Sequence, residues 1–321
     1  MRVGGLWSPG ARVALAVSGG VDSRVLMQAL AETRAAHGAD LLVLSVNHGL
    51  RPEAAAEVAA VLAAAADLGL PAQGLAVQVE AGPDLSARAR DARRAALRAA
   101  AGPGALIATA HHADDQAETV LQRLFAGSGS AGLAALRPRA GGFVRPMLDE
   151  DRDSIVAFAE LRGIEWAEDP SNPASERGRL RRTLAEQLGR GPRRALARSA
   201  RLLAREDDLL EQLASEALPG LTATDGALDH AGLRALHPAL AARALRQWLG
   251  APPPRADELE RALALSRPGA AVAVGGGRAL RLAGGWLRLQ AAGPDLGPSD
   301  AGVELQAEIG LRRSGRPSTS S

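Results

Sequence analysis

The chain of 321 residues contains no cysteine, no lysine and no tyrosine, and its aromatic content stops at three Phe and four Trp. Without cysteine there is no disulfide, no thiolate metal site and no thiol nucleophile. So few rings exclude the stacking platforms that hold single-stranded nucleic acid. Asparagine occurs only at Asn47 and Asn172, while Ala, Gly and Arg abound, a pattern that points to a GC-rich genome. All 38 basic residues are Arg, against 36 acids. The high pI of about 10.4 is therefore misleading. With no Lys, Tyr or Cys to titrate, a net charge of only +2 persists to very high pH, and what matters is where the arginines stand. No apolar run approaches membrane-spanning length and the N-terminus lacks a signal-peptide pattern, so a soluble cytoplasmic protein is expected. At 46% hydrophobic residues the chain can bury cores for two or three domains.

What is present begins with Ser18-Gly19-Gly20-Val21-Asp22-Ser23, between the apolar run Val13–Val17 and a helical pattern opening at Arg24. This reads as strand, tight Gly-rich turn and helix N-terminus. Backbone N–H groups and the helix dipole there form an anion cradle, and Gly19 and Gly20 let a phosphate approach closely. Asp22 repels a bare phosphate and makes sense where a divalent cation bridges carboxylate and phosphates. The simpler alternative is a capped helix after a turn.

Residues 1–150 alternate apolar strands (13–17, 41–46, 72–79, 105–108, 143–146) with amphipathic helices (22–36, 53–68, 84–101, 114–125). That alternation predicts an α/β fold, a doubly wound, mostly parallel, Rossmann-like sheet with helices on both faces. Ligands in such sheets bind beyond the carboxyl ends of the strands, where every motif of this half falls. Past the second strand stands Ser45-Val46-Asn47-His48-Gly49-Leu50-Arg51, either an ordinary turn or a loop over a nucleotide. Past the fourth stands Ala110-His111-His112-Ala113-Asp114-Asp115-Gln116-Ala117-Glu118-Thr119. Helical spacing puts His111, Asp115 and Glu118 on one face near a helix start. The alternatives are a well-capped solvated helix, carboxylates that hold Mg²⁺, or carboxylates that accept a proton from an attacking amine.

From Arg177 to Arg205 ten arginines face one acid, Glu186. Arg forks match phosphates, so this run is read as a contact for an RNA backbone rather than a merely solvated face. A long helix is predicted over 192–217. Helices over 230–249 and 256–266 and Gly-punctuated apolar segments at 270–274, 278–282 and 285–289 predict a small α+β domain ending in a hairpin or meander. The expected division is a first domain over 1–215 that includes a basic helical segment, 174–215, then a small domain over 216–311 and a disordered tail over 312–321.

On these residues the chain resembles the tRNA(Ile)-lysidine synthases, a family of PP-loop (N-type) ATP pyrophosphatases. The resemblance runs from residue 12 to about 210. It rests on Ser18–Ser23, Val46–Arg51 and His111–Thr119, with Gly127-Ser128-Gly129, Arg145-Pro146-Met147-Leu148 and Asp169-Pro170-Ser171-Asn172 further along. One departure is Arg177-Gly178-Arg179-Leu180-Arg181, where the family usually shows Asn in place of Gly178. The resemblance implies that ATP adenylates the wobble cytidine of a CAU-anticodon isoleucine tRNA and that free lysine then displaces AMP. It implies ATP contacts from Ser18, Gly19, Gly20, Val21, Asp22, Ser23, Asn47 and His48, with Mg²⁺ on Asp22 and Asp115. Catalytic roles fall to Asp22, His111, Asp115 and Glu118, the last two for the lysine ammonium and its proton. Arg145, Arg177, Arg181 and Arg182 are implied contacts for nucleotide or tRNA, and the resemblance makes 1–215 the catalytic domain and 216–311 a tRNA-binding one. Monomer and homodimer both stay open. Among PP-loop rivals, thiolating enzymes need catalytic or cluster-binding cysteine and glutamine-dependent members a glutaminase domain. NAD synthetase leaves the Arg run unexplained, and a catalytically dead binding module leaves the three acids unexplained.

Overall fold

The computed structural model describes residues 4–47, 49, 53–78, 82, 85–167 and 189–291. The chain divides into two compact units, Met1–Asp207 and Asp208–Ser321, and the division falls inside one continuous helix rather than in a linker. Among the described residues no helix is long and apolar enough to cross a membrane.

The first unit carries strands β1 (Arg12–Ala16), β2 (Asp40–Asn47), β3 (Ala72–Ala76), β4 (Leu106–Ala108), β5 (Arg139–Ala140) and β6 (Phe143–Val144). They form one sheet in the order β3-β2-β1-β4-β6-β5, parallel throughout except for the short edge strand β5. Its helices are α1 (Val21–Glu32), α2 (Arg34–His37), α3 (Ala54–Asp67), α4 (Leu85–Ala101), α5 (Ala113–Phe125), α6 (Ser130–Leu133) and α7 (Arg152–Leu161). The doubly wound expectation is met. Short α6, α7 and β5 are additions that local periodicity did not announce.

Strand β1 shows why helices cover both faces. Val13, Leu15 and Val17 enter one core with Leu26 and Leu30 of α1, Val61 of α3 and Ile155 of α7, while Ala14 and Ala16 face Leu97 of α4. Leu15, Leu26 and Leu30 are fully buried, and each such side chain contributes about 1.5–3 kcal/mol. Small alanines on the second face let α4 lie close to the sheet.

Helix α8 (Arg190–Leu221) follows. Its portion in the first unit packs Leu196 and Ala200 against Val120 of α5 and Ala135. The arginines there do not all face solvent. Arg190 and Arg194 grip buried Asp151, Arg201 pairs with Asp149 at 3.2 Å, and Arg193 pairs with Asp114 at 3.1 Å. Much of the described Arg run is thus matched by a cluster of acids the sequence holds forty to eighty residues upstream. Asp151 also caps α7, accepting from the Ser154 N–H at 2.9 Å.

Buried as it is, Asp151 would tend to stay protonated, but the Arg190, Arg194 and Ser154 donors outweigh that and hold its carboxyl well below the usual range. A carboxylate depressed in the fold stabilises it above the unfolded pKa, near 4, and the contribution fades as pH falls below that. Asp151→Ala is expected to cost about 1–2 kcal/mol at pH 7, roughly 2–6 °C in melting temperature, because the two freed arginines can hydrate. Thermal melts should find that deficit constant from pH 7 to 5 and shrinking below pH 4. A deficit that grows on acidification would contradict this account.

The second unit holds α9 (His230–Ala235), α10 (Pro238–Leu249) and α11 (Ala256–Leu263) with strands β7 (Leu228–Asp229), β8 (Ala271–Val274), β9 (Arg278–Ala283) and β10 (Trp286–Ala291). The strands form an antiparallel sheet in the order β7-β10-β9-β8, so the expected meander is present with β7 added at its edge. Leu228, Leu233, Leu245, Leu259 and Leu280 fill its core.

Candidate active site

In a doubly wound sheet the ligand crevice opens where the strand order reverses, here between β1 and its neighbour β4. Val13 lies beside Leu106 and Leu15 beside Ala108, so the loops leaving these two strands emerge side by side. One is the Ser18–Ser23 turn and the other is Thr109–His112, which leads into α5. Two motifs about ninety residues apart in sequence thereby line one cavity of about 780 Å³.

On the β1 side, Ser23 folds the turn onto itself. Its hydroxyl donates to the Ser18 carbonyl at 2.6 Å, and the Ser18 N–H donates to that hydroxyl at 3.0 Å. The N-cap of helix α1 is Gly20, which has no side chain to cap the helix's first N–H groups. Gly20 has ordinary extended angles, φ −72° and ψ 154°, and a Cβ there would meet only the Ser18 hydroxyl, at 3.9 Å. Folding does not require glycine at that position. A cavity that a methyl group would partly fill does, and this fits a phosphate group seated against the turn.

On the β4 side, α5 is fully capped. His112 Nδ1 accepts from the Asp114 N–H at 3.2 Å, and Asp115 accepts from the His112 N–H at 3.0 Å. His112 Nε2 then points between two carboxylates, 3.7 Å from Asp22 and 3.5 Å from Asp115. Burial alone would lower the pKa of this ring, but Asp22, Asp115 and Asp114 outweigh it and raise the value. Charging the ring places a proton on Nδ1 and breaks the cap, so the capped state carries its proton on Nε2, facing the acids.

Ser18, Gly20, Asp22, Ser23, His111, Asp115 and Arg145 all line the cavity, and His111 is fixed by Thr109 at 2.9 Å. Gly19 and Val21 lie in the same turn without lining it. Asn47 Oδ1 accepts from the Gly49 N–H at 2.8 Å and lies off the cavity. Glu118 is 2% exposed, one turn along α5, and does not line it either. His48, Arg177, Arg181, Arg182 and the Asp169–Asn172 segment lie outside the described residues.

Sequence reasoning missed much of the wall. Arg90, Arg93 and Arg94 of α4, with Arg123 and Arg137, line the cavity beside the expected Arg145. Arg94 sits 4.7 Å above the Phe143 ring. Burial lowers the pKa of Arg93, and burial together with the neighbouring Arg94 lowers that of Arg145. The 90/93/94 spacing, which stacks three guanidinium groups on one helical face, was the available signal. His112 could have been found as the residue three before an Asp at a helix start.

Asp22 and Asp115 are two hard oxygen donors from different elements, and among the described residues no group of three or more acidic or imidazole side chains could hold a metal. That donor set fits Mg²⁺, which keeps waters and takes one or two carboxylates together with substrate phosphates.

The PP-loop domain family matches residues 6–188. The tRNA(Ile)-lysidine synthase of Xanthomonas campestris pv. campestris (strain 8004) is 41% identical over 278 residues, 81% of this chain and 64% of that protein, so the chain spans under two thirds of this relative. The tRNA(Ile)-lysidine synthase of Methylobacterium sp. (strain 4-46) is 42% identical over 310 residues, 86% of this chain and 88% of that protein. Among solved structures, the U34-tRNA thiolase NcsA from Methanococcus maripaludis with its [4Fe-4S] cluster shares the fold, with a TM-score of 0.51 at 20% identity over 61% of this chain and 73% of that one. The paired motifs, the sheet order and the relatives agree: the chain belongs to the tRNA(Ile)-lysidine synthase family of PP-loop proteins.

Proposed function

We propose that the chain joins free lysine to the wobble cytidine of a CAU-anticodon isoleucine tRNA at the expense of ATP, releasing pyrophosphate and AMP. The observation that carries this reading is the single cavity shared by an uncapped PP-loop helix and the carboxylate-bearing start of α5. Relatives that bear the lysidine synthase name over most of their length support it.

The α1 N-terminus and the Ser18–Ser23 backbone bind the two outer phosphoryl groups of ATP, and Gly20 gives them room. Asp22 and Asp115 would hold Mg²⁺, which when bound neutralises charge on the departing pyrophosphate. The arginine wall orients the RNA and the adenylate by their phosphates. Asp115, with Glu118 behind it, receives the lysine ammonium and takes up the proton its nitrogen sheds as the new C–N bond forms. His111 stands where it can contact the adenylate.

The test is transfer of labelled lysine to a CAU-anticodon isoleucine tRNA transcript, read by mass spectrometry of the digested RNA. The expected result is ATP-dependent addition of one lysine to the wobble nucleoside and none to a transcript carrying uridine there. No incorporation, or equal incorporation into both transcripts, would overturn the reading.

A further inference from the structure

Asp22 lines the cavity, yet neither oxygen of its carboxylate is aimed by its own helix alone. Oδ2 accepts from Arg152 Nη1 at 3.1 Å, and Oδ1 lies 3.7 Å from His112 Nε2. Both neighbours lead to the same residue, Arg152 through its carboxylate and His112 through its backbone N–H: Asp114. Asp114 Oδ2 accepts from the Arg152 N–H at 2.9 Å and lies 3.8 Å from His112 Nδ1, while the Asp114 N–H is the donor that His112 caps. Its other oxygen, Oδ1, is paired with Arg193 of α8 at 3.1 Å. Asp114 and Arg193 are largely buried, with side chains 11% and 17% exposed, and neither lines the cavity.

We propose that Asp114 is the positioning hub of the phosphate site: anchored by Arg193, its carboxylate holds the first residue of α7, Arg152, whose guanidinium in turn fixes the direction of the Asp22 carboxylate. A carboxylate meant to meet a small cation demanding near-octahedral geometry gains from such bracing, because a loosely held ligand loses ordering entropy each time it engages. Helix α8, which continues into the second unit, is through Arg193 one ion pair from the residue that braces the phosphate turn. Asp114 and Arg193 act through others and touch no reactant.

The inference rests on the proposed use of Asp22 with Mg²⁺ and ATP, and its main test needs neither tRNA nor lysine. The gain in ATP affinity on adding Mg²⁺ is measured by calorimetry for the wild type, Asp114→Asn, Arg193→Met and the double variant. Each single change is expected to lose about 10- to 100-fold of that gain. The double variant should lose no more than the worse single one, because both changes release the same bracket. Arg193→Lys should recover part of the loss. Arg201→Gln, which breaks the exposed pair with Asp149 on the same helix, should keep the full gain, and melting temperatures identify any variant that is simply unfolded.

Multiplicative losses in the double variant, an undiminished gain in the singles, or a wild type whose ATP affinity ignores Mg²⁺ would each overturn the proposal. Lysine transfer assayed on the same proteins separates the two claims. A wild type that binds ATP with Mg²⁺ but transfers no lysine refutes the function and leaves the bracket standing.

Discussion

Gly20→Ala is expected to yield a folded protein that has lost most of its grip on ATP. The backbone angles at Gly20 suit alanine, and the added Cβ meets only one hydroxyl, at 3.9 Å. Gly-to-Ala at a compatible position favours folding by about 0.4–1 kcal/mol, while alanine is a poorer N-cap by a comparable amount, so the melting temperature should stay within about 2 °C. The methyl group stands where a phosphate would lie against the first N–H groups of α1. Crowding of that kind costs about 1–3 kcal/mol, or roughly 5- to 150-fold in Kd for ATP. Gly19→Ala should behave differently. A Cβ there lies 3.2 Å from the Ala167 Cβ, so the packing must give by a few tenths of an ångström, a shift that Gly20→Ala does not demand. Calorimetric titration with ATP beside thermal melts distinguishes the two, and an unaltered Kd in Gly20→Ala would remove the phosphate from this turn.

The second large effect is expected at Asp115. Asparagine keeps an oxygen that accepts from the His112 N–H, so the α5 cap survives and stability should fall by no more than about 1 kcal/mol. The charge is what disappears. With it goes the group placed to draw in the ammonium and take its proton, and lysine incorporation should drop by about 10²- to 10⁴-fold. ATP binding in the absence of Mg²⁺ should change little, since the α1 N-terminus does that work. Incorporation within threefold of wild type would assign the amine to another group.

The two anchors of the cavity were legible in the sequence because each is local. A Gly-rich turn after a strand and a run of acids at a helix start declare themselves within ten residues, and the strand alternation supplied the sheet that brings them together. The bracket behind them was not legible. Arg152 follows Asp22 by 130 positions and Arg193 follows Asp114 by 79, and no pattern along the chain records that β1 and β4 are neighbours. The same blindness shaped the reading of the arginine run. Counted along the chain, Arg190, Arg193, Arg194 and Arg201 look like surplus positive charge, but folding sets Asp114, Asp149 and Asp151 against them. Of the pair His111 and His112, sequence spacing favoured the first because it lies one turn before Asp115. The second is the helix cap and the ring that faces both carboxylates, a role fixed by its extended backbone at the N-cap rather than by spacing.

The cationic part of the cavity wall consists of guanidinium groups, and the chain holds no lysine at all. For the proposed reaction through an activated cytidine, this has a chemical consequence. A side-chain amine pressed against the electrophilic carbon could shed its proton and attack, leaving the enzyme covalently fastened to its own RNA. Arginine stays protonated and its nitrogens stay unreactive, even where burial lowers its pKa. Such a wall can neutralise phosphates at close range without self-inactivation, and in the proposed reaction the attacking amine belongs to the amino acid that enters from outside.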